Sequence, residues 1–61
     1  MEYWVNGKKY VVESIKGIMK VTEFSPRFDG LFMSESDIVY LDNMNEVRDY
    51  LTDKNEGVEV F

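Results

Sequence analysis

The chain has no cysteine and no histidine, and only one proline and one tryptophan among its 61 residues. Without Cys there are no disulfide staples, and without Cys or His the common zinc frameworks are excluded. The same two absences remove the usual acid–base shuttles and thiol nucleophiles. No apolar run approaches the ~20 residues a membrane-spanning helix needs, and no signal-peptide pattern follows Met1. The expectation is an intact, soluble, cytoplasmic protein that is not an enzyme and holds neither cofactor nor metal.

One Trp, four Tyr and four Phe, within a 44% hydrophobic composition, supply the apolar surface for a core. A chain this short forms one domain, residues 1–61, near the lower limit for folding alone. Self-association would help so small a core, which makes a homodimer one expected state. Charge is unevenly spread. Residues 1–30 carry five Lys/Arg and four Asp/Glu and residues 31–61 two and eight, so +1 and −6 make up the net −5. Such a balance disfavours direct nucleic-acid binding, where phosphate contacts dominate affinity, and favours a protein partner with a basic surface.

Hairpin chemistry opens the chain. In Tyr3–Val12, YWVNGKKYVV, Asn6-Gly7 lies between alternating apolar positions, the signature of a type I′ turn. A two-residue loop pairs Val5 with Lys8, Trp4 with Lys9, Tyr3 with Tyr10 and Glu2 with Val11. At the next break, ESIKGIM, a four-residue loop over Ser14–Gly17 pairs Glu13 with Ile18 and Lys8 with Glu23. A tighter Lys16-Gly17 turn shifts the pairing by two and leaves every face unchanged. Tyr3, Val5, Tyr10, Val12, Met19 and Val21 then share the core face of a three-stranded meander over residues 1–24.

SPRFDG breaks the sheet, with Asp29-Gly30 as a further turn. A short strand at Leu31–Met33 and a clearer one at Asp37–Leu41 follow. Asn43 with Glu46 fits a capping box, with Asp42 as the alternative cap. Met44, Val47 and Leu51 recur at helical spacing, widened by Tyr50, and the helix should end near Lys54-Asn55 with Gly57 beyond. VEVF reads as a last strand with Val58 and Val60 inward. The predicted fold is α+β: a small, mainly antiparallel sheet with a single helix packed on one face.

Two surfaces stand out. At about 3.6 residues per turn, Asp42, Glu46, Asp49 and Asp53 fall on one helical stripe opposite Met44, Val47 and Leu51, and Glu56 continues it. A solvated face explains Asp42 and Glu46, which the helix N-terminus favours. It does not explain Asp49 and Asp53, which repel each other near the unfavourable end. Carboxylates spaced about 5–6 Å apart resemble neighbouring phosphates, so the stripe suits a basic groove. Oxygen ligands in LDNMNE could hold calcium, but the capping box accounts for them better.

On the second face of the sheet Trp4 lies beside Lys9, with Val11, Lys20, Thr22 and Phe24 nearby. A loop such as SPRFDG could fold its Phe28 over this face as a minor core. Otherwise the face is a partner or dimer contact, or a platform for stacking the bases of a single strand. SPRFDG could also present Arg27 and Phe28 for recognition.

In size, acidity and lack of cysteine the chain resembles the short inhibitors that phages and mobile elements direct against host proteins, some of which imitate DNA. The leading expectation is a non-enzymatic protein-binding module acting through its acidic half. The alternatives are a single-stranded nucleic-acid binder using Trp4, Lys9 and Lys20, and a structural homodimer subunit.

Overall fold

The computed structural model describes residues 1–26 and 33–61. It is α+β, with strands β1 (Glu2–Val5), β2 (Lys8–Ile15), β3 (Ile18–Pro26) and β4 (Met33–Leu41) followed by one helix, α1 (Met44–Lys54). The strands form one antiparallel sheet in the order β1-β2-β3-β4.

Asn6 (φ 50°) and Gly7 (φ 78°) both take the left-handed conformation, as a type I′ turn requires. The resulting register is Glu2↔Val11, Tyr3↔Tyr10, Trp4↔Lys9 and Val5↔Lys8. The Asn6 Nδ2 also donates to the carbonyl of Lys54 at 2.7 Å, which ties this turn to the last turn of α1. No atom comes within 4 Å of a Cβ built on Gly7, so only backbone strain penalises a side chain there. Gly7→Val is therefore expected to cost about 1–2 kcal/mol. A chemical-denaturation midpoint equal to the native one would remove the turn assignment.

Between β2 and β3 the tighter turn forms, and the four-residue loop does not. Lys16 (φ 51°) and Gly17 (φ 82°) occupy its two central positions. Partners are now Ile15↔Ile18, Val12↔Val21 and Tyr10↔Glu23 in place of the Glu13–Ile18 and Lys8–Glu23 pairs. Placing Lys16 in a left-handed conformation is unfavourable, but it extends the ladder and gains the Ile15–Ile18 cross-strand pair.

Residues 33–41 form a single strand, where the sequence suggested separate strands at 31–33 and 37–41, and β3 runs on to Pro26. The Asp29-Gly30 turn, Leu31, and Arg27 and Phe28 lie outside the described residues. The register of β3 on β4 slips between Glu23↔Asp37 and Phe24↔Glu35, leaving Ser36 as the extra residue of a β-bulge.

Val5, Tyr10, Val12 and Val21, from one face of the sheet, are buried in a single cluster with Val47 and Leu51 of α1. Tyr3, Met19, Leu41, Met44, Tyr50 and Val60 pack against it. The segment VEVF is not a strand, and Val58 is 63% exposed. The Asn55 Nδ2 donates to the Val58 carbonyl at 3.0 Å, and the Phe61 ring stacks on Tyr3 at 4.9 Å. The tail thus gains side-chain packing in place of a backbone ladder.

Candidate functional surfaces

The acidic surface is built on α1. Asn43 is the N-cap, and its Oδ1 accepts from the backbone N–H of Glu46 at 3.0 Å. The Glu46 Oε2 reaches back to accept from the N–H of Asp42 at 2.6 Å, one residue before the usual capping-box position. Asn43 and Glu46 therefore spend oxygens on the helix start, which leaves LDNMNE poorly equipped as a calcium loop. Among the described residues no group of three or more carboxylates is placed to hold a metal, and no pocket is present.

Asp42, Glu46, Asp49, Asp53 and Glu56 are all exposed. Among the described residues none of the five takes part in an ion pair; the two pairs seen are Lys8–Glu23 and Lys9–Glu2. The cations of the helix sit elsewhere. Lys54 lies over the Tyr50 ring, 5.3 Å from its centroid, and Arg48 is half-buried off the stripe. Asp53 is in the last turn, where the helix dipole disfavours a negative charge. Glu56 has φ 57°, a left-handed position that suits glycine or asparagine better than glutamate. Neither helix stability nor turn chemistry accounts for acids at these two places.

The opposite side of the sheet has another character. Alternation along the strands puts Trp4, Lys9, Phe24 and Glu35 in one cross-strand row and Glu2, Val11, Thr22 and Ile38 in the next. Glu13, Lys20 and Tyr40 form a third row, and Ile15 with Ile18 a fourth. Trp4 and Tyr40 are each 64% exposed, and Ile15, Ile18 and Ile38 are exposed as well. Lys9 is directly opposite Trp4 in the ladder, yet its Nζ lies over Phe24, 5.7 Å from the ring centroid, and 3.0 Å from a Glu2 carboxylate oxygen. Lys20 is two rows away, opposite Glu13. The aromatic–basic trio is thus on one face, but its lysines are spread apart and have acidic neighbours. The minor-core reading depends on Phe28, outside the described residues.

One polar cluster escaped the sequence reading. Glu23 lies on the core face and is 8% exposed. Its carboxylate accepts from the Tyr10 hydroxyl at 2.7 Å and from the Ser36 hydroxyl at 2.7 Å, with the Lys8 ammonium 3.7 Å away. The bulge makes this possible, because the extra residue turns Ser36 toward Glu23. The hydrogen bonds from Ser36 and Tyr10 outweigh the cost of burial and hold the Glu23 carboxyl below its ordinary 4.5. Burial, and then the bond to Glu23, push the Tyr10 phenol well above its ordinary value.

A depressed carboxyl pKa contributes stability above the unfolded value, and that contribution disappears as pH falls through the folded value. The native protein is therefore expected to lose stability below about pH 4.5 through Glu23. Glu23→Gln should be weaker at neutral pH by about 1–3 kcal/mol and show a flatter acid limb. Thermal melts across that range check this; parallel acid limbs in both proteins would reject it.

Comparison with family models, curated proteins and solved structures gives no match for this chain. Among the described residues no helix is long and apolar enough to cross a membrane.

Proposed function

We propose that this protein is a small, non-enzymatic protein-binding module that docks the acidic stripe of α1 on a basic surface. Nucleic-acid-binding proteins are the class of partner that offers such a surface, and an inhibitor or modulator of phage type is the role that fits it. The supporting observation is the set of exposed carboxylates at Asp42, Asp49, Asp53 and Glu56, none in an ion pair among the described residues. Glu46 belongs to the same stripe but also secures the helix start. Solvation alone is a weak reason for acids at the C-terminal end of a helix, where they cost stability. Binding to a cationic groove would recover that cost.

The stripe lies opposite Val47 and Leu51, which are fully buried, so it can be altered without touching the core. The triple change Asp49→Asn, Asp53→Asn and Glu56→Gln removes three of the stripe's five charges and keeps its shape. Loss of partner binding in that variant, with unchanged circular dichroism, is the expected result.

A further inference from the structure

We propose that the open face of the sheet is the interface for a second copy of this chain, joined face to face in a two-fold sandwich. This proposal is independent of the acidic-helix reading, because it concerns the other side of the molecule. Trp4 and Tyr40, each 64% exposed, together with Ile15, Ile18 and Ile38 form the apolar surface to be covered.

The charges of the face identify the occupant. Among the described residues its charged side chains are Glu2, Glu13, Glu35, Lys9 and Lys20, a net of −1 against −5 for the whole chain. Lys9 is already bound to Glu2 at 3.0 Å, and Lys20 stands opposite Glu13. Lys20, Glu13 and Glu35 form no ion pair among the described residues, but their signs are mixed and little net charge remains to recruit a phosphate backbone or a strongly charged protein. A nearly neutral, apolar surface of mixed signs is complementary to its own copy.

Geometry removes the electrostatic objection to joining two acidic chains. The Cα trace measures 36 × 27 × 15 Å, and α1 buries Val47 and Leu51 on the opposite face of the sheet, with its acidic stripe exposed beyond them. Sheets packed about 10 Å apart would leave the two stripes on the outer sides, more than about 30 Å from each other. That exceeds the screening length of ~8–10 Å at ordinary ionic strength. Four strands of this length offer a footprint of about 500 Å² per copy. The total of about 1,000 Å² is at the lower end for a specific interface, so a dimer of micromolar strength is expected.

Sedimentation equilibrium over a wide concentration range tests this. The native protein should pass from monomer to dimer, with Trp4 emission shifting to the blue and iodide quenching falling over the same range. The double variant Trp4→Glu with Tyr40→Glu should weaken association at least ~100-fold. Should its circular dichroism change, Ile18→Lys alone gives the second arm, with the same loss expected. A native protein monomeric throughout, or a dimer that survives both variants, overturns the proposal. So does a Trp4 shift that appears only on adding a single-stranded oligothymidylate, which would assign the face to nucleic acid.

Discussion

Leu51→Ala is expected to remove a large share of the protein's stability and to shift its unfolding midpoint far down. Leu51 and Val47 are fully buried and are the only buried apolar residues that α1 contributes to the cluster with Val5, Tyr10, Val12 and Val21. Truncating a buried leucine costs about 2–5 kcal/mol, the larger values applying where the site cannot collapse. At roughly 0.05–0.15 kcal/mol per residue, a domain of this length has about 3–9 kcal/mol in all. Apart from Val47, the other buried side chains of the cluster, Val5, Tyr10, Val12 and Val21, are anchored on a hydrogen-bonded sheet, which limits their collapse into the space. Urea titration monitored by circular dichroism checks this. A midpoint close to the native value would mean that the helix is dispensable to the core.

Asp49→Asn with Asp53→Asn and Glu56→Gln has the opposite profile. Stability is expected to hold or to rise by a few tenths of a kcal/mol, since the Asp49–Asp53 repulsion disappears. Affinity for the basic partner should fall. Close charge pairs across an interface are coupled by about 1.5 kcal/mol or more each, so three of them are worth on the order of 4 kcal/mol. That corresponds to about three orders of magnitude in Kd. The native complex should also weaken steeply with added salt, whereas the variant, which keeps only Asp42 and Glu46 of the stripe, should show a clearly shallower salt dependence. Titration calorimetry at several ionic strengths separates these behaviours. Equal salt slopes for the two proteins would show that the stripe is not at the interface.

Local chemistry carried the legible part of the fold. Asn6-Gly7 fixes its own turn type, and from that turn the pairing of Glu2–Val5 with Lys8–Val11 follows without further information. The helix was legible for a similar reason, because Asn43, Glu46 and the Val47/Leu51 spacing are local signals. The second turn was ambiguous because Lys16 disfavours the left-handed conformation it adopts, and only the added strand pairing decides the matter. VEVF has strand propensity, but propensity does not supply a partner, and Phe61 found Tyr3 instead.

The Glu23 cluster was not legible at all. The sequence paired Lys8 directly with Glu23 across the ladder; in the structure Tyr10 is the partner of Glu23, and the Lys8 ammonium approaches its carboxylate from two positions along the strand, at 3.7 Å. What buries Glu23 is the approach of Tyr10 and of Ser36, and Ser36 reaches it only through a bulge that nothing in the run Ser34-Glu35-Ser36-Asp37 announces. The two surfaces were legible as residue lists, since alternation and helical spacing sort side chains by face. Their pairing state was not. Lys9 bonding Glu2 and lying over Phe24 rather than Trp4 depends on rotamers.

The most direct measurement of the central claim is a comparative capture from host lysate, with native protein and the Asp49/Asp53/Glu56 variant as parallel baits at low and high salt. Quantitative mass spectrometry of the bound fractions gives the readout. Basic, nucleic-acid-binding proteins should be recovered by the native bait at low salt and lost both at high salt and from the variant. Equal recovery of the same proteins by the two baits at both ionic strengths would contradict the proposed role of the acidic helix.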